Sequence, residues 1–205
     1  MTDFVILSDL DGVLVDSTSS VGRIWRRWAR EHDIPFGAIE PIMHGVPSRQ
    51  TVAQVAPHLD PAAESMRLDC AQADDTDGVA ALPGAAVLLS GGYATRYAIV
   101  TSCDRHLARA RLDAARLPMP PVTITSDMVS QGKPHPDAYL LGAERMGADP
   151  ANCVVVEDAP AGIAAGRSAG MRVVAVTTTH GPEDLTAAHA IVADLRDLPA
   201  ALERL

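Results

Sequence analysis

The chain reads as an α/β protein: a doubly wound parallel sheet, forming a Rossmann-like core, with a small helical cap inserted after the first strand. Three observations predict this. Short apolar runs recur at 5–7, 97–101, 122–125, 153–156, 172–176 and 190–192, and helical stretches at 104–115, 136–146 and 159–169 separate most of them. Such alternation builds a parallel sheet with helices on both faces. The runs are almost continuously apolar rather than alternating, which suits strands buried on both sides. Finally, the interval 18–82 breaks the rhythm, because it holds no convincing strand.

Taken in order, the first strand covers residues 4–7, and Gly12 lets the chain turn sharply just beyond it. Helices are expected at 18–32, 48–57 and 61–74, with Pro35, Pro41, Pro47, Pro57 and Pro61 as punctuation. In the first of these, Val21, Ile24, Trp25 and Trp28 fall at i, i+3, i+4 and i+7 and make one apolar face. Arg23, Arg26, Arg27 and Arg30 lie mostly on the other side and read as a solvated face. Asp77-Gly78 and Pro83-Gly84 look like the return linker. The division is then a core of 1–17 and 83–205 and a cap of 18–82, which would sit over the end of the first strand. The stretch 187–205 supplies a last short strand and a helix, and no internal repeat is present.

Composition narrows the functional classes. With 205 residues the chain can bury a sizeable core, and 47% hydrophobic against 3% aromatic residues makes that core Val, Leu, Ile and Ala. There is no apolar run of 18 residues, so no membrane span is expected. The start carries Asp3 and no basic leader, which argues against a signal peptide. Cys70, Cys103 and Cys153 are few, scattered and odd in number, as in a reducing cytoplasm. The net charge of −9 speaks against nucleic acid as a partner. It would also repel a phosphorylated ligand at long range, so a phosphate site must be built locally from a metal ion, backbone N–H groups and a few cations. A monomer or weak homodimer is expected.

Four segments carry chemistry. Asp9 and Asp11 follow the first strand, and residues i and i+2 of a strand share a face. The alternative is a polar turn; a calcium loop is disfavoured because the following residues lack the required series of oxygen ligands. Thr101-Ser102 ends a strand next to a helix start, which makes either a phosphate cradle or, with Asp104, an N-cap. Gly132-Lys133-Pro134-His135-Pro136-Asp137 is a rigid loop whose lysine either meets an anion or merely decorates a turn. Glu157-Asp158 ends a fully apolar strand, where acids are costly without a cation, although Asp158 also suits an N-cap. Asp9, Asp11 and Asp158 together would make an all-oxygen site of the kind that suits Mg²⁺.

In this order, these segments resemble the haloacid dehalogenase superfamily of phosphatases and phosphotransferases, over essentially the full chain. The motifs are Asp9-Leu10-Asp11-Gly12-Val13-Leu14, Thr101-Ser102, Gly132-Lys133-Pro134 and Glu157-Asp158-Ala159-Pro160-Ala161-Gly162. The helical insert resembles the small cap of the subgroup containing sugar phosphatases and β-phosphoglucomutase. The resemblance implies that Asp9 attacks phosphorus and that Asp11 protonates the leaving alcohol and then activates water. It implies Mg²⁺ held by Asp9, the carbonyl of Asp11 and Asp158, with Glu157 nearby. Thr101 would bind the phosphoryl oxygens with Gly12 and Ser102 beside it, and Lys133 would offset the negative charge. An acid at position 11 points to phosphate esters, since the dehalogenases and phosphonatases of the superfamily lack it.

The segment His44-Gly45-Val46-Pro47-Ser48-Arg49 resembles the substrate loop of that subgroup. His44 and Gly45 would then face a polyol, and Arg49 would meet hydroxyls or a second phosphate, unless it is a helix-start arginine facing solvent. The stretches around Thr101 and 176–180 look most like phosphatases of small sugar and polyol phosphates. The alternatives are a hexose-phosphate phosphomutase and a non-catalytic phosphosugar-binding module. Two departures stand out: Ser8 replaces a bulky apolar residue, and Cys103, read as a small core residue, replaces a frequent glycine.

Overall fold

The computed structural model describes residues 4–91 and 93–205, so Asp3 lies outside the described residues. The core is a six-stranded parallel sheet built from β1 (Val5–Ser8), β4 (Tyr97–Val100), β5 (Thr123–Ile124), β6 (Cys153–Glu157), β7 (Arg172–Val176) and β8 (Ala190–Val192). Its order is β5-β4-β1-β6-β7-β8. The chain builds outward from β1 on one side, then crosses back to build outward on the other. The crevice at such a reversal is where open α/β sheets place ligands.

Burial explains why the strands read as unbroken apolar runs. β4 and β6 are buried at every residue. On one face Ile6, Ile99 and Val154 pack under Leu88 and Leu89 of α4 (Ala85–Ser90), Ala108 and Leu112 of α5 (Arg105–Ala114), and Ala201 and Leu202 of α8 (Leu198–Leu202). On the other, Leu7, Val100 and Val155 pack under Tyr139 and Ala143 of α6 (Asp137–Met146) and Ile163 of α7 (Pro160–Ser168). Both faces are therefore closed by helices, and polar side chains are left to the strand ends.

The interval after β1 folds as three helices, α1 (Thr18–Glu31), α2 (Ser48–Val55) and α3 (Pro61–Asp74), with its own apolar cluster around Trp25, Trp28, Ile39, Val52 and Leu68. The four arginines of α1 are exposed and its apolar face is buried, as the periodicity requires. Asp60 caps α3 by accepting from Ala62 and Ala63 N–H, with Pro61 at the first turn.

Two features were not expected. The connections leaving and re-entering the core pair as a two-stranded antiparallel ribbon, β2 (Val15–Asp16) with β3 (Ala80–Ala81). Two residues are too few to leave a period in a sequence. The helix α4 follows Gly84 directly; it is six residues long and lacks a side-chain cap, so neither signal for a helix start was available. Among the described residues no helix is long and apolar enough to cross a membrane.

Candidate active site

The three central strands deliver the acids and hydroxyls to one crevice. Asp9 extends β1, its N–H donating to Val156 O at 2.9 Å, and Glu157 and Asp158 end β6 alongside. Thr101 follows β4, its N–H donating to Ile124 O at 2.9 Å. Asp104 caps α5 by accepting from Leu107 N–H at 2.8 Å, so the Thr101 and Ser102 hydroxyls are not spent on that helix. Ser102 Oγ donates instead to Gly45 O at 3.2 Å and ties the core to the loop before α2.

Lys133 lies at the centre of the charged groups, only 1% exposed. Its Nζ is 3.0 Å from Asp9 Oδ1 and 2.6 Å from Glu157 Oε1, and it donates to Val100 O at 3.0 Å. Burial works against the ammonium, but Asp9 and Glu157 outweigh it and hold its pKa above the ordinary lysine value. Glu157 is fully engaged. Its Oε1 also accepts from Tyr139 Oη at 2.7 Å, and its Oε2 accepts from Asp158 and Ala159 N–H. A side chain at Gly162 would collide with that carboxylate. The residue thus anchors the lysine from behind.

Asp9 Oδ1 takes Lys133 and the N–H of Leu10 at 2.8 Å, which leaves Oδ2 for chemistry. Burial is the largest influence on this carboxyl; it exceeds the pull of Lys133 and raises the pKa to about 7. Asp158 is not the helix cap that its position allowed; Ala159 holds that place without a side-chain bond. Its Oδ2 accepts from Thr179 Oγ1, and its Oδ1 is buried with no hydrogen-bond partner among the described residues. Burial and the neighbouring Glu157 push its pKa well up. Gly12, at φ +78°, passes so close that any Cβ there would collide with the Asp158 carboxylate.

One atom each from Asp9, Glu157 and Asp158 lies within 4.8 Å of the others. Three buried carboxylates against one ammonium, with an orphaned oxygen on Asp158, is a donor set that fits a small hard cation. Asp9 and Asp158 have oxygens to offer it, whereas both oxygens of Glu157 are taken.

Asp11 faces the same crevice from the turn after β1 and is held by residues the motifs do not contain. Arg111 Nε lies 3.2 Å from Asp11 Oδ1 as an ion pair without a well-directed hydrogen bond. Cys103 Sγ donates to Asp11 Oδ2 at 3.0 Å. Burial first, then Asp11, raise that thiol's pKa, so it is a donor and not a thiolate. Arg111 is buried and also donates to Ser20 Oγ at 3.2 Å and Gln72 Oε1 at 3.1 Å, so one guanidinium joins α5, α1, α3 and the acid. A signal existed: Leu107, Ala108, Arg111 and Leu112 share one stripe of α5, and an arginine inside an apolar stripe needs a partner.

Between these groups and the helical insert lies a cavity lined by Asp9, Asp11, Gly12, Thr101, Ser102 and Asp158 from the core and by His44, Gly45, Ser48, Asp69 and Gln72 from the insert. Burial and His180 hold His44 below its usual pKa, so it meets the cavity as a neutral imidazole. Arg49 is not brought to this site. It is exposed and lines, with Met66 and Asp127, an outer groove that shares Ser48 and Asp69 with the cavity, because the start of α2 points it outward. Lys133 does not line the cavity either; it acts from behind Asp9.

The class is now defined: a Rossmann-like hydrolase core with carboxylates, a hydroxyl and a buried lysine at three adjoining strand ends, under a helical insert. The chain belongs to the haloacid dehalogenase-like hydrolase family, whose model matches residues 5–170. It is 46% identical over 175 residues to hexitol phosphatase A of Escherichia coli (strain K12), spanning 83% of this chain and 81% of that protein. It is 33% identical over 207 residues to validoxylamine A 7′-phosphate phosphatase of Streptomyces hygroscopicus subsp. limoneus, 95% of each chain. The crystal structure of a hydrolase from Pseudomonas syringae superposes with a TM-score of 0.88 at 26% identity, over 98% of this chain and 99% of that one.

Asp69 generates a pH prediction. Burial raises its carboxyl from 3.8 to about 6, the Ser48 hydroxyl partly offsetting this. An acid whose folded pKa is raised lowers stability above its unfolded pKa; the loss grows from pH 3.8 to about 6 and is then constant. Asp69→Asn should therefore stabilise the fold at pH 7.5, by up to about 3 kcal/mol, and leave it nearly unchanged at pH 3.5, read by urea denaturation at both pH values.

Proposed function

We propose that this chain is a Mg²⁺-dependent phosphatase that hydrolyses small sugar or polyol phosphate monoesters through an aspartyl-phosphate, with residues 18–82 as its cap. The observation that carries the reading is the pairing of Asp9, its Oδ1 committed to Lys133 and Leu10, with Asp11 on the same crevice wall. One carboxylate is oriented as a nucleophile, and a second faces the cavity as the proton carrier. The 46% identity to a hexitol phosphatase supports the substrate class.

In the first step Asp9 Oδ2 attacks phosphorus while Asp11 gives a proton to the departing alcohol. In the second, Asp11 takes a proton from water as that water attacks the aspartyl-phosphate, which returns Asp9 and releases phosphate. Thr101 and Ser102 bind phosphoryl oxygens. Lys133 pairs with Asp9 and partly offsets the effect of its burial, and Glu157 keeps Lys133 in place. Mg²⁺ held by Asp9, the Asp11 carbonyl and Asp158 would neutralise charge on the phosphoryl group. Arg111 and Cys103 hold Asp11 at the cavity wall. Arg49, which would suit the phosphomutase alternative, is exposed and outside the cavity. The reading further includes a cytoplasmic location, in keeping with three unpaired cysteines, and a monomer or weak homodimer acting on free metabolites.

Three outcomes are expected. Phosphate release from a panel of sugar and polyol phosphates should need no bisphosphate activator, vanish in EDTA and return with Mg²⁺; release that is indifferent to EDTA would remove the metal from the reading. Asp9→Asn should abolish turnover, and substantial remaining activity would rule out Asp9 as nucleophile. Asp11→Asn should slow alkyl phosphates at least about a hundredfold more than aryl phosphates, whose leaving group needs no proton; equal losses on the two would refute the acid role.

A further inference from the structure

The cap-side wall of the cavity carries polar groups that the chemistry above does not use. Asp69 and Gln72 stand one turn apart on α3, and both line the cavity. Side chains three apart on a helix are neighbours, so one ligand group can reach both. Each is half-committed from behind. Ser48 Oγ donates to Asp69 Oδ1 at 2.7 Å, and among the described residues Oδ2 has no partner. Arg111 Nη2 donates to Gln72 Oε1 at 3.1 Å, which fixes the amide with its oxygen towards the guanidinium. What remains for a ligand is one carboxylate acceptor beside one amide donor.

That pair is the complement of a hydroxyl, which both gives and takes a hydrogen bond. It is a poor complement to an anion, which Asp69 would repel. Among the described residues no lysine or arginine lines the cavity, and His44 meets it neutral. The opposite end, at Asp9 and Thr101, is where the phosphoryl group belongs. Val21, Trp25 and Met43 supply an apolar wall beside the pair for the carbon chain.

We infer that Asp69 and Gln72 are specificity-determining residues that read hydroxyls at the non-phosphorylated end of the substrate, selecting an uncharged polyol tail and rejecting a second phosphate or a carboxylate there. The inference rests on the phosphatase reading and narrows its substrate class. A second feature agrees with it. Asp69 is held where burial disfavours its charge, and the Ser48 hydroxyl and Arg111 only partly offset this. Groups kept at such a disadvantage cluster at functional sites. Arg111 enters as a positioning residue, because the same guanidinium that touches Asp11 sets which end of Gln72 faces the ligand.

The test is steady-state kinetics of the full chain with Mg²⁺ on three probes: a hexitol phosphate, a hexose bisphosphate and p-nitrophenyl phosphate, which has no hydroxyls. The wild type should prefer the hexitol ester to the bisphosphate. Asp69→Asn should lower kcat/KM on the hexitol ester by about tenfold or more, mostly through KM, and should cost at least about fivefold less on the aryl ester. It should also narrow the discrimination against the bisphosphate. Gln72→Met, of similar volume, should give the same split between hexitol and aryl esters. Proportional losses on all three probes would make both residues structural and overturn the inference, as would an unchanged hexitol KM or a wild type that prefers the bisphosphate. Those results leave the phosphatase reading standing. No phosphate released from any probe would bring down that reading and the inference together.

Discussion

The structure turns on one ammonium. Lys133 is buried between Asp9 and Glu157, and without it two buried carboxylates would face each other. Removing one partner of a buried ion pair leaves an uncompensated charge, typically a loss of about 3–5 kcal/mol. The surrounding sequence reads as a set of provisions for this charge. Tyr139 donates to Glu157 from α6, and Val100 O accepts from the ammonium at the end of β4. Gly162 gives the Glu157 carboxylate room at the start of α7. Even so the balance is unfavourable, because Asp158 adds a further acid and has an unpartnered oxygen. The site is an anionic cage with too few protein cations, which is why a divalent ion fits it.

The helical insert is tied to the core by polar contacts. Its hydrophobic cluster is its own and separate from the two that sandwich the sheet. The links between the two parts include Ser102 to Gly45 and the fan of Arg111 to Ser20 and Gln72. Hydrogen bonds of this kind contribute about 1 kcal/mol each and can be exchanged for water. In the proposed reading of this insert as a cap, contacts of this kind would let it lift without exposing a core.

How much of this was legible in the sequence follows from how each residue is placed. The strands and the residues at their ends were legible because a strand end is local: Asp9, Thr101, Glu157 and Asp158 sit directly after apolar runs that announce them. Lys133 was legible as a motif but not in its placement. The resemblance implied that it offsets negative charge, but not that the fold buries it between Asp9 and Glu157 and outside the cavity. Arg111, Tyr139 and Asp69 come from helix faces, and which face meets the crevice depends on how a helix docks, information that lies outside its own segment. Cys103 was read as small and inert; it is unreactive but donates to the acid. For Arg49 the loop left two readings open, a substrate contact or a helix-start arginine facing solvent, and the direction of α2 gives the exposed one.

The ribbon of β2 and β3 bears on how the chain folds as well as on its final form. Pairing β1 with β4 joins Ile6 to Tyr97, a contact that must close a loop of about 90 residues. If the helical insert condenses first around its own apolar cluster, the pairing of Asp16 with Ala80 takes most of those residues out of the loop. The closure left to the sheet then spans fewer than about 30 residues, an entropic saving of about 1 kcal/mol. A two-rung ladder too short to leave a trace in the sequence thereby turns a long-range pairing of the central sheet into a much more local one.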